Sequence, residues 1–283
     1  MKIGIVLEGG AMKGLYTAGV LDAFMEASLR FDGVIGVSAG ALFGVNFLSG
    51  QKGRVIRYNK RFNRDRNYMG IWPLLKTGNV VDTEYAYERV PRKLDPFDDA
   101  AFQKSGVPFY AAITNLRTGK AEYPLIRSVF EQMDVLRASG SMPFVSRPVK
   151  IEDEYYLDGA VADSIPVEKM MKMGYEKIVV VLTKPAGYRK KAIPAKLVKA
   201  VYGKRWPEFA KTLQNRHEMY NAQMALVEKL EEEGKIQVLR PSKEVKISRT
   251  EKDPERMEEM YQLGKADANL WLGKEKGWLI NGV

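Results

Sequence analysis

The chain has 283 residues, 45% of them hydrophobic, and a net charge of +10, which suits one large α/β core or a core with an appendage. It contains no cysteine, which excludes disulfide frameworks, thiolate catalysis and cysteine-ligated zinc or iron–sulfur sites. Cytoplasm is the expected compartment. No stretch reaches the ~20 apolar residues of a membrane span, so any membrane contact is expected to be peripheral, at the inner face.

The first half alternates strand-like and helix-like stretches in the βαβ manner. Residues 2–7 are rich in β-branched side chains and end at Gly9-Gly10, which reads as a buried strand with a tight exit rather than a signal peptide. Ala18, Leu21 and Met25 then share a helix face, residues 31–37 form a second strand, and ALFGVNFLSG is a buried helix stopped at Gly50. Residues 51–100 read as helices joined by loops. Strands are predicted at 107–116, at YYLDGAV (155–161) and at KIVVVLT, with helices at 129–138 and from Pro166 to Gly174.

Beyond Pro185 the pattern becomes helical and charged. Ile193, Leu197 and Val201 recur every four residues while Lys196 and Lys199 point elsewhere, which predicts a basic amphipathic helix, placed to lie against anionic lipid or to form a lid. A helix over 224–233, a strand at IQVLRPS that would rejoin the sheet, and a last helix capped by Asp253, opened by Pro254 and stopped at Gly273 complete the chain. Charge is uneven. Ten Lys/Arg stand against Glu208 alone between Lys184 and Arg216, and seven against Asp65 between Lys52 and Arg66. Such runs call for an anionic membrane surface, for nucleic acid, or only for solvent.

Three local patterns carry chemistry. Gly36-Val37-Ser38-Ala39-Gly40 is a G-x-S-x-G between a strand and a helix, where the glycines permit a sharp turn that lifts the serine hydroxyl toward a helix N-terminus. The alternative is a glycine-rich turn whose serine only caps the helix. Glu8-Gly9-Gly10-Ala11-Met12-Lys13-Gly14 follows the first strand, and its small side chains allow consecutive N–H groups to form an anion nest for a phosphate or an oxyanion. Its spacing fits neither dinucleotide nor P-loop patterns. The single histidine, His217, lies in a solvated helical stretch, so no Ser-His-Asp triad is expected, and Ser38 comes too early for an α/β-hydrolase. Asp158-Gly159-Ala160 places a carboxylate at a strand end, either as a turn former or as a partner for Ser38.

With these three patterns in this order, and with ASGSMP at 138–143, the chain resembles the patatin-like phospholipase family over residues 1–183. The remainder, 184–283, is similar to an extension found in one bacterial branch of that family. The resemblance implies a three-layer α/β fold with a mostly parallel sheet and a helical C-terminal extension. It further implies a Ser38–Asp158 dyad, an oxyanion hole from Gly9, Gly10, Ala11 and Met12, and supporting roles for Lys13, Gly14, Gly36, Gly40, Gly159 and Ala160. Reaction at a lipid ester through an acyl-enzyme follows, with no metal, no cofactor and no nucleic-acid partner. One departure stands out: Ala11 replaces the family's usual glycine, so either it takes φ > 0 at a cost of about 1 kcal/mol or its N–H is redirected. The second outcome would leave a lipid-binding protein of weak or no activity.

Overall fold

A computed structural model describes residues 1–280. The strands are β1 (Ile3–Leu7), β2 (Gly33–Val37), β3 (Phe109–Asn115), β4 (Ala121–Glu122), β5 (Leu125–Ile126), β6 (Val149–Ile151), β7 (Glu154–Asp158), β8 (Lys177–Val181) and β9 (Ile236–Leu239). They form one sheet in the order β6-β7-β3-β2-β1-β8-β9, with β4 and β5 also on β3. β3, β2, β1, β8 and β9 run parallel, while at one side β7 pairs antiparallel with β3 and β6 antiparallel with β7.

The helices are α1 (Leu15–Glu26), α2 (Ala39–Leu48), α3 (Arg54–Phe62), α4 (Ile71–Thr77), α5 (Asp99–Lys104), α6 (Met133–Gly140), α7 (Val167–Lys172), α8 (Ala195–Val198), α9 (Pro207–Glu232) and α10 (Pro254–Ile280). Alternation along the central strands sorts them into layers. Ile5, Leu7, Val34, Val179 and Val181 pack with Phe24, Phe43 and Met257 on one face, whereas Val6, Ile35, Ile178 and Val180 pack with Met170, Tyr220, Met224 and Val227 on the other. The fold is thus a three-layer α/β sandwich. α10 lies against α1 at two glycines: a Cβ on Gly19 would overlap the Tyr261 carbonyl oxygen, and one on Gly264 the Tyr16 carbonyl oxygen.

Two elements differ from the sequence reading, and a third packs on a face that spacing left open. The inward residues of the segment around α8 are Val198 and Tyr202, both buried against Leu157, Val161 and Phe209; Leu197 and Val201 are 48% and 49% exposed. Tyr202 decides the register, because its hydroxyl also accepts the Phe144 N–H at 2.7 Å, and a ring of that size outweighs two aliphatic side chains. α9 begins at Pro207 and runs unbroken through the predicted helix at 224–233. α10 passes through Gly273, whose φ is not positive and whose surroundings are empty, so nothing there ends the helix. Among the described residues no helix is long and apolar enough to cross a membrane.

Candidate active site

Ser38 sits between β2 and α2 with φ 55° and ψ −121°, a left-handed conformation that a serine holds only when its surroundings impose it. The neighbours supply the constraint. A Cβ at Gly40 would run into the Leu7 carbonyl, and one at Gly36 would lie 2.6 Å from the Ala41 Cα, so the turn closes only with glycine at both places. Buried Ser139 on α6 accepts the Ser38 N–H at 2.9 Å and pins the elbow from behind. The hydroxyl thus projects at the start of α2, where the helix dipole favours negative charge.

Asp158 ends β7 and reaches Ser38 across the sheet. Ser38 Oγ donates to Asp158 Oδ2 at 2.8 Å, and Asp158 Oδ1 accepts the Ala160 N–H at 2.8 Å. The backbone of Asp158 is held on both sides, its N–H by the Ser141 carbonyl at 2.9 Å and its own carbonyl by the Thr114 hydroxyl at 2.8 Å. Gly159 passes so close to the Ala112 carbonyl that no Cβ fits. Ser38 and Asp158 are 6% and 4% exposed, so their pairing is shielded from water. Burial raises the Asp158 pKa above the ordinary carboxyl value, while the Arg216 charge, the Ala160 N–H, the Ser38 hydroxyl and Lys190 pull against it.

The loop after β1 runs directly over this pair. A Cβ on Gly9 would lie 2.7 Å from the Ser38 Cβ, and one on Gly10 2.5 Å from the Thr183 Oγ1. Ala11 takes φ 49°, the conformation glycine favours, so of the two outcomes open to it the alanine accepts strain. Among the described residues, the N–H groups of Gly9, Gly10, Ala11 and Met12 donate to no protein acceptor. Lys13 begins to close the short helical turn, its N–H donating to the Gly10 carbonyl at 3.1 Å, and Gly14 lies against Ala39. A cavity of about 140 Å³ opens from Ser38 and Ala11 among apolar side chains including Leu42, Phe43, Val90, Met133 and Leu136.

Residues 5–171 match the family described as Patatin-like phospholipase. The chain belongs to that family. Residues 206–279 match a second family described as Domain of unknown function (DUF6363). Among relatives, "Uncharacterized protein YjjU" of Escherichia coli is 32% identical over 65% of this chain and 53% of its own length. "Lysophospholipase nte1" of Aspergillus niger is 28% identical over 64% of this chain and 12% of its own. The chain thus spans about half of one of these relatives and a small part of the other. The crystal structure of VipD from Legionella pneumophila is similar at a TM-score of 0.46 with 14% identity, covering 96% of this chain and 67% of that one.

Around the patatin-like site lie residues that motif reading did not single out or gave another role. Glu8, 1% exposed, binds Lys184 Nζ at 2.6 Å, the Thr183 N–H at 2.6 Å and the Tyr220 hydroxyl at 2.9 Å. Burial would raise its pKa, but Lys184, Thr183 and Tyr220 outweigh burial and hold it below the usual glutamate value. This network ties the β1 loop to β8 and to α9. Arg216, also on α9, donates from Nε to the Ala160 carbonyl at 2.6 Å, beside Asp158. Arg216 and Lys190, read from the sequence as part of a surface basic run, are partly buried and line a cavity at Ser38. His217 lies elsewhere, its Nδ1 3.0 Å from the Gln214 carbonyl and its Nε2 3.9 Å from Glu218. The sequence signals for Glu8, Lys184 and Arg216 are the place of the first at the head of the glycine-rich loop and of the other two in the basic run, and neither names a partner.

Proposed function

We propose that the protein is a lipid acyl hydrolase that cleaves carboxylic esters through a Ser38–Asp158 dyad. The observation that carries this reading is the 2.8 Å contact from Ser38 Oγ to a buried carboxylate beneath four uncommitted backbone N–H groups. Asp158 takes the hydroxyl proton as Ser38 Oγ bonds to the ester carbonyl carbon. The carbonyl oxygen, now an alkoxide, lies under the Gly9–Met12 amides. Collapse expels the alcohol, which recovers the proton from Asp158, and leaves an acyl-enzyme. Water then adds by the same route in reverse and releases the fatty acid. Such a carboxylate is a stronger base when buried, and preorganised amides can supply ~10²-fold or more in rate per donor. The apolar cavity beside Ser38 suits the acyl chain. The relative named a lysophospholipase favours monoacyl phospholipids as the substrate class.

A protein of the same fold without catalysis is the competing reading, motivated by Ala11. The positive φ at Ala11 speaks for activity, because the loop keeps the shape a glycine would give it. The test is hydrolysis of short-chain nitrophenyl esters and labelling by a fluorophosphonate probe, with Ser38→Ala beside the wild type. Turnover and labelling that vanish in Ser38→Ala support the hydrolase; a folded wild type that neither turns over nor labels sinks it.

A further inference from the structure

Ser38 stands between two cavities of opposite character. The second, about 290 Å³, shares Ala11, Ser38, Met142 and Arg249 with the apolar one. Among the described residues, five cationic side chains line it, Lys13, Lys184, Lys190, Arg216 and Arg249, against Asp158 as the one lining carboxylate. Lys184 is engaged with Glu8, and Arg216 spends its Nε on the Ala160 carbonyl. Among the described residues, the terminal nitrogens of Arg216, the Nζ atoms of Lys13 and Lys190 and the guanidinium of Arg249 meet no carboxylate within ion-pair distance. Lys190 Nζ instead lies 4.6 Å from the centre of the Tyr220 ring. Burial, then Arg216 and Lys184, press its pKa down to about 7.

Like charges gathered in a partly dehydrated cavity oppose one another, and the missing partner is an anion. Guanidinium and ammonium donors converging from several elements suit the oxygens of a phosphate. The position fixes the source of that phosphate: with the ester carbonyl at Ser38 and the acyl chain in the apolar cavity, the alcohol portion of the substrate has this cavity to occupy. Resting on the hydrolase reading above, we propose that the cationic cavity receives the head-group phosphate of a monoacyl lipid and selects heads of net negative charge over zwitterionic ones. Lys184, Lys190, Arg216 and Arg249 all follow residue 171, and Arg216 and Arg249 fall within the stretch of unassigned function at 206–279, which thereby acquires a role in head-group selection.

The test compares monoacylglycerol phosphate, monoacyl glycerophosphocholine and a neutral nitrophenyl ester in wild type, Lys190→Met, Arg249→Met and the conservative Lys190→Arg. Each loss of a charged donor is expected to lower the kcat/KM ratio of the phosphate lipid to the neutral ester about tenfold or more, with Lys190→Arg restoring most of it. Binding is read separately by calorimetry on Ser38→Ala, with monoacylglycerol phosphate, glycerol phosphate and inorganic phosphate as probes. A wild type that cleaves the neutral ester, yet shows no preference for the phosphate lipid and no change of ratio in the variants, overturns the proposal and leaves the hydrolase standing. Inorganic phosphate that binds as tightly as glycerol phosphate overturns it too, making the cavity a free-phosphate site. Lys190-dependent binding of the phosphate lipid without cleavage of any ester supports the head-group site and removes the hydrolase reading.

Discussion

Replacing Asp158 by asparagine changes one atom of the site and separates a base from a mere hydrogen-bond partner. In the wild type, Oδ1 takes the Ala160 N–H and Oδ2 takes the Ser38 hydroxyl, each at 2.8 Å. An asparagine has one oxygen, and the buried Ala160 N–H requires it, since an unpaired buried donor costs about 1–3 kcal/mol. The amide NH₂ would therefore face Ser38 Oγ, which becomes an acceptor with no base. The expected loss in kcat/KM is the general-base contribution, about 10²- to 10⁴-fold, or about 3 to 5 kcal/mol. Stability should move the other way. The folded Asp158 pKa lies above its unfolded value, so whatever stability this group adds is present at low pH and lost as pH rises. At neutral pH the buried charge is a cost, burial outweighing the attraction of Arg216, and Asp158→Asn should melt no lower than wild type. The same shift requires wild-type kcat/KM on a neutral ester to rise with pH through a midpoint above 3.8, the ordinary aspartate value. Nitrophenyl-ester kinetics from acid to neutral pH, with thermal melts, check both. A folded Asp158→Asn within tenfold of wild type would refute the dyad.

Four further outcomes test other contacts. Gly19→Ala should push α10 off α1, costing about 1–3 kcal/mol and lowering Tm by about 2–4 °C per kcal/mol; an unchanged melt would mean that this helix crossing is not tight. Glu8→Gln leaves Lys184 without its counter-charge and should destabilise by about 3–5 kcal/mol near neutral pH. Because the folded Glu8 pKa lies below 4.5, its stabilisation is present above that value and fades as pH falls through the folded pKa, so the wild-type advantage over Glu8→Gln should shrink in acid. Ala11→Gly removes the left-handed strain of about 1 kcal/mol, partly offset by glycine's added unfolded-state freedom, and is expected to preserve ester turnover; a tenfold fall would show that the methyl group itself serves the site. Liposome co-sedimentation should depend on anionic lipid and fall steeply with salt, and Lys196→Glu with Lys199→Glu should weaken it, since exposed Leu197 and Val201 accompany these lysines; salt-insensitive binding would contradict the idea.

What the sequence disclosed was whatever depends on local backbone. Buried strands announce themselves as β-branched runs, and a serine between glycines at a strand end predicts a strained turn because few other residues could make one. Ser38, Asp158 and the loop from Gly9 belong to that class, and the structure gathers them at the ends of β2, β7 and β1. The register around α8 belongs to another class. Spacing ranks Leu197 and Val201 as well as it ranks Val198 and Tyr202, and only the pocket formed by Leu157, Val161 and Phe209 chooses between them. Glycine often ends helices, which makes Gly273 an expected stop, yet a glycine with no left-handed conformation and no neighbour is simply a weak helix residue.

The partners of the site were hidden for a related reason. Glu8 and Tyr220 are 212 residues apart, as their hydrogen bond spans the whole core of the chain, and Arg216 reaches the Ala160 carbonyl beside Asp158 only because α9 lies across the ends of β1 and β7. Net charge over residues 184–216 calls for an anionic partner or for solvent without saying which side chains face it, and a basic run on a helix and its approach loop has two sides. Lys190 and Arg216 occupy the inner one while Lys196 and Lys199 occupy the outer. On the head-group proposal, the same stretch would serve two anions if liposomes bind as expected, one in the cavity at Ser38 and one at a lipid surface. The two roles separate cleanly by mutation: Lys190→Met should change head-group preference while leaving the salt dependence of liposome binding in place, and Lys196→Glu should do the reverse.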